Sequence, residues 1–261
     1  MLKNIFASLN IELLKIYRSM IFWITIGVAI FFSMMIGLMM LLVLYPDSLP
    51  PGILKTKVDL AGLTAEWPMY IGLNEIAAGA IGMVIFGFIV SWVFGREFND
   101  RTVKDLLALP TSRATIVISK LLAVFLWCIL INIIIFTLGI LIGFAIDLPL
   151  WSFDLLPDFA KVFSITTLLS LLLCSPVAYV ASAGKSYLPA IGFVVLCMGL
   201  ANFFGNVGLG AYFPWAIPLL YTGAVGTSGQ LPMVSILIIT GTALLGTIGT
   251  ILQWKYADQN R

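Results

Sequence analysis

The sequence contains no histidine and few charged residues. Only 10% of its 261 residues are charged, 61% are hydrophobic, and the mean hydropathy is +1.10. A soluble domain has about a quarter of its residues charged, so this composition argues against a cytosolic enzyme, a secreted module and a nucleic-acid-binding protein. The absence of histidine also removes the usual proton shuttle and the commonest metal ligand. The composition therefore indicates an integral membrane protein without histidine-based catalysis.

The three cysteines show no spacing that indicates a site. Cys128, Cys174 and Cys197 lie in long apolar runs, and no CxxC pair occurs. This pattern predicts neither a disulfide framework nor a zinc site. We expect the three side chains to be buried as small hydrophobic groups.

Six apolar segments are long enough to cross a bilayer as helices, because a hydrocarbon core about 30 Å thick needs about 20 predominantly apolar residues. The last charge-free run, 186–254, is too long for two helices alone, and glycine and proline are dense in its middle. These residues break regular helices, so we predict a broken re-entrant segment at about 212–225, with a seventh crossing as the alternative. The predicted spans are approximately 20–44, 71–95, 119–146, 161–183, 187–204 and 233–254.

The distribution of lysine and arginine predicts the orientation, since short loops rich in these residues stay in the cytoplasm. With six spans, one side of the membrane holds 11 of the 14 basic residues and the other side holds 3. Both termini are therefore predicted to be cytoplasmic. The predicted location is the prokaryotic plasma membrane, with lipid as an obligatory partner.

The segment before the first span has the pattern of an amphipathic helix. Apolar residues recur every three or four positions, whereas Glu12 and Lys15 fall on a different face. We expect this helix to lie along the inner membrane surface before the chain enters the bilayer. Its apolar stripe consists of Leu2, Ile5, Leu9, Leu13, Ile16 and Met20.

The inner loop between spans two and three combines charges, a short helix and a proline stop. Asn99 or Asp100 can cap the start of this helix, and Pro110 ends it. Leu106 and Leu107 then lie on its apolar face. Such a helix at the membrane surface could transmit force to both neighbouring spans. A solvated loop explains the charges equally well, but it leaves the paired leucines and the proline stop unexplained.

This loop closely resembles the cytoplasmic signature of permease subunits of ATP-binding-cassette (ABC) exporters of the six-span, half-size type. The motif comprises a glutamate near the end of span two, an Arg/Gly-Thr pair, two leucines and Pro-x-x-Arg. Arg101 stands where many members have glycine. The resemblance implies that the ATPase-coupling residues are Arg96, Glu97, Arg101, Thr102, Lys104, Asp105, Leu106, Leu107, Pro110 and Arg113.

The resemblance also implies the partners. It predicts a second permease copy and a separate cytosolic ATPase that binds ATP and Mg²⁺, whereas this chain binds no cofactor or metal and no nucleic acid. Gly184-Lys185-Ser186 is similar to the end of a phosphate-binding loop, but Tyr179 stands where that loop requires glycine. The chain is therefore predicted to be a permease and not an enzyme.

Four polar residues are candidates for a role within the membrane. Glu75 is either an anchor at the outer interface or a substrate or proton site, because a carboxylate at the bilayer centre is costly. Asn132, Asn202 and Asn206 could bond neighbouring helices or contact a ligand.

We expect an all-α membrane permease that exports a hydrophobic or amphipathic compound, with the substrate itself undetermined. Three alternatives belong to other classes. One is a secondary transporter or channel without an ATPase, which would show central charges and an internal repeat. Another is a non-transporting sensor or assembly partner. The third is a membrane enzyme using Asp154 and Asp158, which lack a neighbouring nucleophile.

Overall fold

The computed structural model describes residues 2–45, 62–103, 111–225 and 231–256, and within these ranges the regular structure is helical. An amino-terminal helix is followed by long helices and a run of short ones. The α-helices are α1 (Leu2–Tyr17), α2 (Met20–Leu44), α3 (Trp67–Asn99), α4 (Arg113–Ala145), α5 (Leu155–Leu172), α6 (Cys174–Ala183), α7 (Tyr187–Asn206), α8 (Ile217–Tyr221) and α9 (Met233–Tyr256).

Six helical segments in the described part of the chain are long and apolar enough to cross a membrane. They are α2, α3, α4, α5 together with α6, α7 and α9. The predicted all-α fold with six spans is therefore confirmed. Two of the helices, α3 and α4, each have 33 residues and are about 50 Å long at 1.5 Å per residue. They exceed the thickness of the hydrocarbon core, so part of each extends beyond it.

Serine side chains cap the start of three of these helices. Ser19 Oγ accepts a hydrogen bond from the backbone N–H of Phe22 at the start of α2, at 3.2 Å. Ser112 Oγ accepts from Thr115 N at 3.1 Å before α4, and Ser186 caps α7 in the same way. Each cap satisfies a backbone donor that the helix itself leaves unpaired.

The fourth span is bent where α5 gives way to α6 at Leu173. Pro176 lies just after the bend, where its missing N–H costs little. The Ser175 hydroxyl donates to Ala243 O on α9 at 2.8 Å. Gly246 packs against the backbone of this region so closely that a Cβ there would lie 2.6 Å from the carbonyl carbon of Ser175. The bend is therefore in backbone contact with the last helix.

Residues 210–221 form two short 3-10 turns followed by α8. Trp215 packs edge-on against Phe193 of α7, and Phe213 stacks on Phe204 with ring centroids 5.0 Å apart. Ser235 Oγ donates to Ala211 O at 2.9 Å. The segment is thus a set of short helices that pack between the long helices. Its predicted dip into the outer leaflet remains a prediction.

The amino-terminal helix α1 packs three residues of its predicted apolar stripe against the protein, whereas Met20, the last residue of that stripe, begins α2 and is 78% exposed. Ile16 is buried, and Leu9 and Leu13 pack on the main core. Glu12, which the sequence pattern assigns to the polar face, is also buried at 3% exposure. The exposed face of α1 is largely apolar, with Phe6, Ile11, Leu14 and Tyr17 all more than half exposed.

We predict that Gly246→Ala destabilises the protein by on the order of 1–3 kcal/mol, because the new methyl group overpacks the contact with the bend. Gly241→Ala on the same helix is the matched control, since a Cβ there meets nothing within 4 Å. It should stay within about 1 kcal/mol of the wild-type protein. Unfolding in detergent micelles measures both variants. Equal stability of the two variants would contradict the close contact.

Candidate functional site

A cluster of buried charges lies where α1, the end of α3 and the start of α4 meet. We call this end of the bundle, which the sequence assigns to the cytoplasm, the inner end. The cluster joins residues far apart in the sequence and is largely hidden from solvent. The charge cluster consists of Glu12 and Lys15 from α1, Arg96 and Glu97 from α3, and Lys120 from α4.

The Lys120 ammonium is the centre of the charge cluster. Its Nζ lies 3.0 Å from Glu97 Oε1 and 3.2 Å from Glu12 Oε2, so it joins the two carboxylates. Arg96 Nη2 approaches the same Glu12 oxygen at 2.8 Å, and Lys15 Nζ lies 3.1 Å from Glu97 Oε1. Three cations and two carboxylates thus form one continuous network with an excess of one positive charge.

The charged groups of this network are so deeply buried that each of them needs an oppositely charged partner. Lys120 is 0% exposed, Glu12 3%, Glu97 4% and Arg96 8%. Removing such groups from water costs several kcal/mol per ion, and only close partners with further hydrogen bonds offset that cost. The Lys120 ammonium also donates to Val93 O at 3.4 Å.

Two further contacts orient the carboxylate and guanidinium of α3. The Thr102 hydroxyl donates to Glu97 Oε2 at 2.6 Å, and Thr102 N donates to Glu97 O at 2.9 Å. The Arg96 guanidinium lies over the Trp92 ring, 4.4 Å from its centroid, a favourable cation–π contact. The residues that follow α3 are therefore bonded to the charge cluster through Thr102.

The start of α4 is tied to the end of the last helix. Arg113 Nη1 donates to the carbonyl oxygens of Trp254 and Lys255, both at 3.0 Å. These carbonyls belong to the last turn of α9, where intrahelical partners are missing and a cation is favourable. Trp254 is fully buried and donates its indole N–H to Ser182 Oγ of α6 at 2.9 Å.

The predicted coupling residues that the structure describes form two groups, one before residue 104 and one after residue 110. Arg96, Glu97 and Thr102 belong to or contact the charge cluster, whereas Arg113 caps the last helix. The structure does not bring the two groups to a common site among the described residues. Five of the predicted residues lie outside the described part of the chain, namely Lys104, Asp105, Leu106, Leu107 and Pro110.

Arg101 is exposed and adopts a left-handed backbone conformation with φ of 59°. Glycine adopts this conformation without steric cost, which gives a physical reason why glycine suits this position. Lys185, in the turn between α6 and α7, is likewise left-handed with φ of 49°. Gly184-Lys185-Ser186 forms that turn.

The four intramembrane candidates lie apart from the charge cluster. Glu75 is half-buried on α3, eight residues after the helix begins. Asn132 is half-buried on α4. Asn202 and Asn206 are exposed on α7, and each donates its amide N–H to a backbone carbonyl of its own helix.

The sequence pattern did not identify Glu12, Lys120 or Trp254 as site residues. Two signals were available. Glu12 follows Leu9 by three residues and precedes Ile16 by four, so it lies within the inward stripe of α1. Lys120 lies seven positions after Arg113 and directly before a long apolar run, two helical turns along the same side of α4.

Six apolar helices with a charge cluster at one end define a multi-pass membrane protein. The family model described as "ABC-2 family transporter protein" matches residues 8–202, about three quarters of the chain. The chain therefore belongs to the ABC-2 family of transporter proteins. It is the membrane subunit of an ABC transporter, a class that associates with an ABC ATPase subunit.

The chain is similar to the "Bacitracin transport permease protein BCRB" of Bacillus licheniformis. The two sequences are 29% identical over 178 residues, which is 68% of this chain and 86% of the relative. No solved structure matches this chain.

We predict that Lys120→Met lowers stability by about 3–5 kcal/mol, because it leaves two buried carboxylates without their shared cation. A double-mutant cycle with Glu12→Gln should give a coupling energy of about 0.5–3 kcal/mol. Arg18→Met removes an exposed cation near the same end and is the control. Additive effects in the cycle would contradict a direct interaction between Glu12 and Lys120.

We also predict that Arg113→Gln loosens the end of α9, since the two carbonyl oxygens lose a charged donor worth about 1.5–3 kcal/mol. Hydrogen–deuterium exchange should increase in the last turn of α9 and not in its centre. Trp254→Phe keeps an aromatic side chain but removes the bond to Ser182 and part of a fully buried indole, and should lower the stability of the fold by about 1–3 kcal/mol. Unchanged exchange in Arg113→Gln would show that the cap is dispensable.

Proposed function

We propose that this chain exports a hydrophobic or amphipathic compound from the cytoplasm or the inner leaflet, powered by a separate cytosolic ATPase. Two permease copies and two ATPases would form the working unit, with ATP and Mg²⁺ held by the ATPases. The observation that carries the proposal is the charge cluster at the inner end. Through this cluster, the start of the 96–113 segment forms salt bridges with α1 and α4.

The geometry suggests how a displacement of the 96–113 segment would be transmitted to other helices. On its leading flank, Arg96 and Glu97 are joined through salt bridges to α1 and α4. On its trailing flank, Arg113 is bonded to the end of α9. Displacement of the 96–113 segment would therefore move four helices together, since buried ion pairs cannot separate without exposing uncompensated charge.

The proposed direction and cargo rest on family and surface chemistry. The membrane-facing surface is apolar, and the relative from Bacillus licheniformis carries the name of a bacitracin transport permease. An amphipathic cargo is compatible with such a surface. The proposed orientation, with both termini in the cytoplasm, places the charge cluster next to the ATPase.

The coupling experiment measures capture of the ATPase and transport. We predict that Leu106→Asp lowers co-purification of the ATPase at least several-fold while membrane insertion is retained, because a carboxylate disfavours an apolar docking contact. Glu97→Lys should uncouple ATP hydrolysis from transport, because it places a fourth cation in the charge cluster. The control is Lys161→Asp, an exposed change on α5 at the predicted outer side.

The decisive comparison uses vesicles containing the permease with and without the ATPase. Transport only in the presence of the ATPase and ATP supports the proposal. Transport by the permease alone would instead favour a secondary transporter or channel. Substrate-dependent ATP hydrolysis at the wild-type level in both Leu106→Asp and Glu97→Lys would remove the coupling role of the 96–113 segment.

A further inference from the structure

An apolar groove opens on the surface of the bundle between α4, α9 and the bend in the fourth span. Its volume is about 390 Å³. Residues between 118 and 125 of α4 line one side, residues between 171 and 175 at the bend line another, and α9 contributes Ala243 and Thr247. Leu122 and Phe125 line the groove and are each 39% exposed, so the groove is open to the surroundings of the helices.

The hydroxyl groups that line the groove are already bonded to helix carbonyls. The Ser175 hydroxyl is shared between Leu172 O at 3.1 Å and Ala243 O at 2.8 Å. The Thr247 hydroxyl donates to the same Ala243 O at 2.9 Å. A stable water molecule in a cavity needs about two to four polar partners, and these groups have none of their protons left to offer it. The groove therefore suits hydrocarbon better than water.

The groove lies in the half of the bundle that is nearer the inner end. Its residues on α4 follow Arg113, the first residue of that helix, by 5 to 12 positions, or about 8–18 Å at 1.5 Å per residue. Thr247 lies nine positions before the last residue of α9, or about 14 Å along the helix axis. Both distances are measured from the end where Arg113 contacts α9. This is the depth of the acyl chains in the leaflet at that end.

The place and the lining of the groove together identify its occupant. An empty groove of this size would leave its lining atoms without partners on one side and would forfeit their dispersion attraction. An apolar cavity of about 150 Å³ already binds benzene, so this larger groove has room for a stretch of hydrocarbon chain. A lipid chain can enter it directly from the bilayer, whereas an amphipathic cargo would also need partners for its polar part. We propose that the groove binds one acyl chain of a phospholipid from the leaflet at the inner end.

A chain bound in the groove would support the side of α4 that the salt bridges do not hold. Leu122 follows Lys120 by two residues, which places it on roughly the opposite side of the helix. Lys120 contacts Glu12 and Glu97 in the charge cluster. The bound chain would fill the space between α4 and the bend. This inference depends on the six membrane spans and not on the proposed transport function.

The test is photo-crosslinking of the full-length protein in vesicles of dioleoyl phosphatidylcholine. The probe is a trace of phosphatidylcholine that carries a diazirine in one acyl chain, and mass spectrometry locates the label. We expect more label on Thr247 and on residues 118–125 than on Leu245, although Leu245 is 74% exposed on α9. A phosphatidylglycerol probe with the same chain should give the same pattern, because the groove contacts the chain and not the headgroup.

Two variants fill the groove from opposite sides, and each has a matched control on its own helix. Leu122→Trp should lower labelling of Thr247 several-fold, whereas Leu126→Trp, at a leucine that is 44% exposed outside the groove, should not. Thr247→Leu should lower labelling of residues 118–125, whereas Thr240→Leu, at an exposed threonine of α9, should not. Thermal unfolding checks that all four variants are folded.

Three outcomes would overturn the proposal. Equal labelling of the groove and of Leu245, or equal changes in the filling variants and their controls, would indicate general contact with the bilayer. A strong preference for one headgroup would indicate a headgroup site. Loss of groove labelling on addition of bacitracin at the concentration of the probe would assign the groove to cargo. Because the ATPase is absent from these vesicles, failure here leaves the proposed transport function untouched.

Discussion

The ammonium of Lys120 has no contact with solvent, and its charge is compatible with burial only because Glu12 and Glu97 lie within about 3 Å on two other helices. An unpaired charge in such surroundings would cost several kcal/mol. The need to pair this charge therefore constrains where α1 and the end of α3 can lie relative to α4. The packing of these three helices at the inner end depends on this requirement.

The same requirement gives the inner end a mechanical property that apolar packing lacks. Helices that face lipid on one side and protein on the other gain little from the hydrophobic effect when they associate, so apolar surfaces can slide with small penalties. Ion pairs between buried groups are directional and short. Helices α1, α3 and α4 are consequently expected to move as a unit, and Arg113 extends that unit to α9.

Elsewhere the helices are held by small residues and aromatic rings. Gly246 allows α9 to touch the bend in the fourth span. Near the other end, Gly143 provides room for the Trp67 ring, which packs 4.4 Å from Trp151 between ring centroids. These contacts depend on shape and not on charge. The molecule thus combines close packing along its length with an electrostatic junction at the inner end.

The sequence by itself determined the all-helical class and the six spans, because a bilayer requires long apolar runs whose backbone bonds are satisfied internally. It also pointed to Glu97 through its motif, and to Arg96 as the residue beside it. Only the tertiary structure decided that Glu12 and Lys120 complete their site and that Arg113 caps α9. Helical periodicity specifies which face of a helix is apolar, but it does not specify which helix that face meets, so partners 84 and 108 residues apart in sequence emerge only when the helices are packed.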